Sequence, residues 1–419
     1  MKKNQHLTIK NLGPIKNCEI DLTKMIVLDG PQAAGKSTIA KAIFFFRTVK
    51  DDIVNALVNP YADPVIKSEI QYRLRQKFIQ LFGDNISENI FVAFDYDENI
   101  RIEVNHNQSV KISEKILNWA GNFSEIQLTA KDRQQIYKEV SEFFNDDKEI
   151  VYIPAGRSML SILSESLSHI FFNFDDEQKN MIDYCTTDYI NRVTKIKPIF
   201  KSPEKLIPDI IDPKFIIGFL PLIREKMWRI LQGRYKYLNG EEFLQLFGDN
   251  KEKNIKIKFA SSGQQEVLWI LNLIYYYLVK QKPTCFIIEE PEAHLYPNSQ
   301  KEIAEYITLA LSEKNECILT THSPYILGTL SNLLEAQRMI DEGYVLSNLL
   351  EKENLTSAQL LKRTDFSAYF VDGGKLQNAI DEENGLIKNE LIDGASDKIN
   401  GFADDLMYLE RSGKIYVGE

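Results

Sequence analysis

Along the first fifty residues the spacing of apolar positions changes twice. LTIKNL and CEIDL alternate apolar with polar residues, the period of a strand with one buried face, whereas MIVLD is continuously apolar, as a strand covered on both faces would be. After Gly35 the period lengthens. Ile39, Ile43 and Phe46 recur at helical spacing. The pattern predicts two half-buried strands, a central strand, a short loop and a helix.

The next stretch is patterned differently, and we expect it to form an inserted, mainly helical lobe over residues 51–255. VIKSEIQYRLRQKFIQLF reads as helix and FVAFDYDENIRIEVN as a hairpin. EIVYIPAGRS, Glu149 to Ser158, is an apolar strand ending in small residues and an arginine. It either returns the chain beside the early loop, over 149–157, or is an ordinary sheet strand with an exposed arginine.

Strong patterning resumes at 256. KIKFASSGQQEVLWILNLIYYYL reads as a strand, a small polar turn and a helix with Val267, Ile270, Leu271, Ile274 and Leu278 on one face. Two apolar strands follow, CFIIEE and CILTTH, separated by a helical stretch after Pro297. Strand, helix, strand at this spacing predicts an α/β fold with parallel strands and right-handed crossovers. Residues 1–50 and 256–330 would then be two halves of one head. Residues 331–419, with a short strand AYFVD and a closing helix near 396–410, would pack on it as an extension.

Composition narrows the classes of function. With 419 residues and 44% hydrophobic content, the chain can bury more than one core. A net charge of -10 disfavours a uniformly basic nucleic-acid binder. RVTKIKPIFKSPEK, residues 192 to 205, is a local basic patch, readable as a solvated loop or as a contact for nucleic acid. Cys18, Cys185, Cys285 and Cys317 are widely separated, which suggests neither zinc nor a disulfide framework. The opening MKKNQHLTIKNLG lacks the apolar centre of a signal peptide, and no apolar run approaches the roughly 20 residues of a membrane span. A soluble, cytoplasmic protein without a membrane partner is expected.

The chemistry lies at the strand ends. Gly30, Pro31, Gln32, Ala33, Ala34, Gly35, Lys36, Ser37 and Thr38 spell G-x-x-x-x-G-K-[ST] between a strand and a helix. In such a loop backbone amides wrap the β-phosphate, the lysine meets the β and γ oxygens, and Ser37 places its hydroxyl on Mg²⁺. FIIEEPEAHL puts two acids at the end of an apolar strand: we assign Glu289 to the metal and Glu290 to polarising the attacking water. His322, in THSPYIL about 32 residues further on, is placed to hydrogen-bond a γ-phosphate as a neutral imidazole. His294 would contact an opposed subunit or pack behind the carboxylates. Ser261, Ser262, Gly263 and Gln264 open a helix. That turn is either a plain cap or an anion site that one copy offers to the γ-phosphate held by another.

Loop, SSGQ turn, paired acids and histidine in this order make the chain resemble an ABC-type P-loop NTPase head. The wording EEPEAHLYP and TTHSPYIL, with LTIKNLGPIKNCEIDL at the start, looks like the branch containing OLD-family nucleases, the Septu protein PtuA and, more distantly, RecF and SMC proteins. The similarity covers roughly residues 7–48 and 256–330. It implies a mixed sheet with flanking helices, and a head-to-tail homodimer, or higher homo-oligomer, sandwiching two ATP molecules with Mg²⁺. Two positions depart from the pattern: Ser262 replaces the commoner glycine, and Glu289 the commoner aspartate. The family's glutamine loop has no evident counterpart, because Gln71, Gln76 and Gln80 all fall in expected helix.

The expected function is an ATPase that senses a nucleic acid or phage product and controls a separate effector, a nuclease or toxin, in antiviral defence. The alternative is a RecF-like repair ATPase that binds DNA directly. OLD-type enzymes carry a TOPRIM nuclease domain after the ATPase. ADDLM and DEEN, the acids beyond His322, fall in expected helix or loop, so cleavage by this chain is not expected.

Overall fold

The computed structural model describes residues 5–58, 66–83, 88–105, 109–123, 132–158, 183–208, 218–247, 253–311, 314–394, 400–401 and 406–407. Its frame is an eleven-stranded mixed sheet. The strands are β1 (His6–Leu12), β2 (Ile15–Asp21), β3 (Met25–Asp29), β4 (Phe91–Asp95), β5 (Arg101–Asn105), β6 (Ser109–Ile112), β7 (Glu149–Ile153), β11 (Thr284–Glu289), β12 (Glu316–Thr320), β13 (Phe366–Asp372) and β14 (Lys375–Asn378). Across the sheet they run β6-β5-β4-β1-β2-β14-β13-β3-β12-β11-β7. β8 (Gly233–Leu238), β9 (Glu241–Leu246) and β10 (Lys253–Lys256) form a separate three-stranded sheet.

The sheet divides into a parallel half and an antiparallel wing. β13, β3, β12, β11 and β7 are all parallel, and Met25, Val27, Phe286, Ile288, Val151 and Ile153 face one core while Ile26, Leu28, Ile287, Ile150 and Tyr152 face the other. Burial on both faces explains why MIVLD and CFIIEE carry no alternation. The first core is filled by the helix Ser262–Val279, the second by the helix Lys36–Arg47, whose Phe44, Phe45 and Phe46 are all buried.

Three features depart from the sequence reading. The β4–β5 hairpin and β6 do not stand apart in an inserted lobe: β4 pairs with β1 and extends the head's own sheet. The helix Ser262–Val279 is apolar all round. Leu268, Trp269, Leu273 and Tyr275 are as buried as the expected stripe, because this helix sits in the middle of a core rather than at its surface. KIKF is not a strand, since β10 ends at Lys256 and a 3₁₀ turn, Ile257–Phe259, follows.

The basic stretch at 192–205 is largely helix, within Tyr184–Phe200. Lys197, 5% exposed along its side chain, pairs with Glu242, and Arg192 pairs with Glu149 and Asp188. Arg192 thus ties the helix to β7 at the edge of the large sheet, and Lys197 ties it to β9 of the small one. AYFVD lies in β13 as expected. The expected closing helix near 396–410 and most of ADDLM fall outside the described residues. Among the described residues, no helix is long and apolar enough to cross a membrane.

Candidate functional site

The loop after β3 is shaped by its glycines. Gly30 has φ of 144°, and a Cβ there would lie 2.2 Å from the carbonyl oxygen of Val371 in β13. Gly35, at φ of 108°, precedes the helix, and its Cβ would fall 2.4 Å from Ile15. Only glycine fits positions that combine left-handed backbone with contacts this close. Between them Ala33 also takes a left-handed φ of 62°. Pro31, Gln32 and Ala33 are exposed, Ala34 and Thr38 half-buried, and Ser37 is exposed in the first helical turn. That turn has free amides and a positive helix end, so the loop can hold an anion.

Lys36 is the hub. Its Nζ donates to the carbonyls of Gly30 at 2.6 Å and Pro31 at 3.0 Å, and lies 3.2 Å from Nδ1 of His322. Nε2 of His322 in turn lies 3.2 Å from Oε1 of Glu290. An ammonium can only donate, so Nδ1 accepts and the ring proton sits on Nε2, donated to Glu290. Burial pulls the Lys36 ammonium below its ordinary value, against Asp29, Glu290, Glu292 and Glu289, which act in the other direction. Burial likewise raises the Asp29 carboxyl, against the amide of Gly30 and the charges of Lys36 and His322.

The two neighbouring acids point to different surroundings. Glu289 ends β11 and is buried; its Oε2 accepts from the amide of Ala155 at 3.2 Å, while Oε1 makes no hydrogen bond. The Tyr152 hydroxyl, raised by burial and then by the Glu289 charge, does not reach hydrogen-bonding geometry with it. Glu290 leaves the strand with a left-handed φ of 42° and a side chain 38% exposed. A non-glycine residue held there costs about 1–3 kcal/mol and needs surrounding contacts to persist. The break in the strand at Glu290 separates a sheltered carboxylate from an accessible one.

Two supports were not legible as functional residues. Glu292 is buried and accepts from the Thr321 hydroxyl and the His322 amide, each at 2.7 Å, which fixes the backbone of the histidine. Burial raises its carboxyl, against those bonds. Arg157 has no exposed surface, and the alternative of an exposed strand-end arginine is ruled out. The motif EEPEAHL carries the acid that became Glu292, but no spacing rule distinguishes it from a solvated charge.

The SSGQ turn is built as a cap and stays open. Ser261 is the N-cap: its hydroxyl accepts from the Gln264 amide, and the Gln264 side chain accepts from the Ser261 amide. Nε2 of Gln264 reaches the Leu231 carbonyl at 2.8 Å. Ser261 and Ser262 are exposed. Gly263 packs on the segment after the acids, where a Cβ would lie 2.7 Å from the carbonyl of His294. His294 itself is exposed, with φ of 59°, and does not pack behind the carboxylates. Of the three glutamines considered for the glutamine loop, Gln71 donates to the Val110 carbonyl at the far wing of the sheet.

The chain is similar to several known proteins. A family model described as an AAA ATPase domain matches residues 3–327. An OLD nuclease of Thermus scotoductus is 21% identical over 425 aligned positions, covering 94% of this chain and 72% of that protein. Among solved structures, an SMC head bound to the C-terminal winged-helix domain of ScpA aligns over 77% of this chain and 90% of its own, with TM-score 0.40 and 13% identity. The SMC head domain from Thermotoga maritima aligns over 78% and 92%, with TM-score 0.33 and 12% identity. With a phosphate loop opening its first helix and paired acids at the end of a central strand, the chain belongs to the AAA ATPase domain family.

Proposed function

We propose that the protein is an ATP-driven clamp, in which two copies close head to tail over ATP and the SSGQ turn of each meets the γ-phosphate held by the other's loop. The observation that carries this reading is the chain from Lys36 through His322 to Glu290, which lines up a phosphate ligand, a hydrogen-bond sensor and a water-polarising acid. The exposed first turn of Ser262–Val279 supplies a second anion site that one copy's own loop does not need.

The residues present suit Mg²⁺. Four carboxylates, Asp29, Glu289, Glu290 and Glu292, act on the single Lys36, so a triphosphate would enter an acidic site unless a divalent cation came with it. Ser37 and the unbonded Oε1 of Glu289 would hold the ion, which supplies charge neutralisation at the β and γ oxygens. Lys36 then exchanges carbonyl acceptors for phosphate oxygens. Glu290 accepts the proton of the attacking water, while His322 keeps its Nε2 proton and turns that hydrogen bond from Glu290 to a γ-phosphate oxygen.

The regulatory part rests on the likeness to an OLD nuclease: closure would report a nucleic acid or a phage product to a separate effector, a nuclease or toxin, in the cytoplasm. Light scattering of Glu290→Gln with and without ATP tests the clamp. An ATP-dependent doubling of mass is expected, and a mass that ATP leaves unchanged would overturn it.

A further inference from the structure

Arg157 joins three parts of the head. Its backbone amide and that of Ser158 each donate to the Glu266 carboxylate at 3.0 Å, and its Nε donates to the Glu266 carbonyl at 3.0 Å. Its Nη1 donates to the carbonyls of Pro154 and Glu289, at 2.6 and 2.5 Å, and its Nη2 to the carbonyl of Glu290 at 2.8 Å. Glu266 stands in the first turns of the helix that the SSGQ turn opens, and Glu290 carries the left-handed φ. One guanidinium therefore grips the signature helix with one edge and the strained turn that aims the water-polarising acid with another. Gly263 against the His294 carbonyl makes a second contact between the same two segments.

We infer that Arg157 is a positioning residue that transmits the seating of the SSGQ turn to the Glu290 backbone of the same chain. The inference rests on the clamp reading, because the ligand of that turn is a nucleotide on the opposed copy. A shift of the helix start then moves Glu266, and the rigid five-donor fork carries the shift to the two carbonyls it holds. Each copy readies its own hydrolysis only when its signature turn has engaged the other's ATP.

The test uses the full chain and two variants, in case one folds poorly: Arg157→Lys keeps charge but cannot span both carbonyls, and Glu266→Gln keeps the shape but not the charge. Turnover at saturating ATP is expected to fall about tenfold to 100-fold in each, as for a catalytic group displaced by a fraction of an ångström. Affinity for a non-hydrolysable ATP analogue, measured by calorimetry, is expected to stay within about twofold, since neither residue lies in the loop. Sigmoidal dependence of rate on ATP should flatten, and the double variant should be no slower than the worse single, because the two act in one link. Saturated turnover within about twofold of the parent, with only a lowered melting temperature, would overturn the inference. Failure of the clamp is read separately, as a parent rate per chain that does not rise with protein concentration.

Discussion

Nζ of Lys36 stands 3.2 Å from Nδ1 of His322, although 286 positions separate them in the chain. The contact fixes the imidazole tautomer and so makes Nε2 the donor toward Glu290. Removing Glu290's ability to accept a proton should therefore stop turnover without emptying the loop. Glu290→Gln is expected to slow phosphate release by about 100-fold or more while calorimetric ATP affinity stays near that of the parent. Unchanged turnover would take Glu290 out of water activation.

Asp29, Glu290, Glu292 and Glu289 all act on the Lys36 ammonium. Lys36→Ala removes the phosphate ligand and leaves that acidity less opposed, so ATP affinity should drop by at least about tenfold, equivalent to about 1.4 kcal/mol. Higher Mg²⁺ should recover part of the loss. Wild-type affinity in this variant would place the triphosphate elsewhere.

Two glycines with positive φ should respond differently. Gly30→Ala forces a Cβ to within 2.2 Å of the Val371 carbonyl, whereas Gly343, at φ of 96°, has nothing within 4 Å of the same position. Alanine at Gly343 should cost about 1 kcal/mol for the backbone alone. At Gly30 the cost should exceed about 3 kcal/mol, and ATP affinity should fall with it. Thermal melts of both variants check the contrast; equal losses would contradict the packing of the loop on β13.

Acid and neutral pH should act in opposite senses on two aspartates, the half-buried Asp51 and the buried Asp146. Burial raises the Asp51 carboxyl from its ordinary 3.8 to about 6, against Lys77 and Lys50. The folded state then binds the extra proton, so stability declines as pH rises from about 4 to about 6. Asp51→Asn should gain about 1–3 kcal/mol at pH 8 and little at pH 4. Burial opposes the charge of Asp146 too, but Arg47 and Lys50 outweigh it and hold the carboxyl at about 2. Its contribution is complete above 3.8 and is lost as pH falls toward 2. Denaturant melts across pH, with a lower Asp51→Asn gain at pH 8 than at pH 4, would reverse the assignment.

The parts legible in the sequence share one property: their chemistry is local. GPQAAGKST announces itself because a loop, a helix start and a lysine must lie side by side, and MIVLD, CFIIEE and CILTTH announce central strands because two-sided burial removes the polar alternation ahead of the strand end. Arg157 is ambiguous in the sequence because its role is set by carbonyls 132 and 133 positions away. Glu292 looked like one acid among three. The hairpin at 91–105 was correctly read as a hairpin, but strand pairing across 80 or more residues leaves no mark in a period, so its place beside β1 could not be read.

The pairing of β13 with β3 also has a temporal side. The floor under Gly30 is the carbonyl of Val371, made more than 300 residues after the loop it supports. At about 5–20 residues per second a ribosome needs tens of seconds to bridge that interval. Until β12 emerges β3 lacks both of its neighbours, and until β13 follows it still presents one apolar edge. Nascent chains would therefore bind ATP only after β13 has emerged, and the newborn protein would lean on chaperones at the strand that later carries its nucleotide.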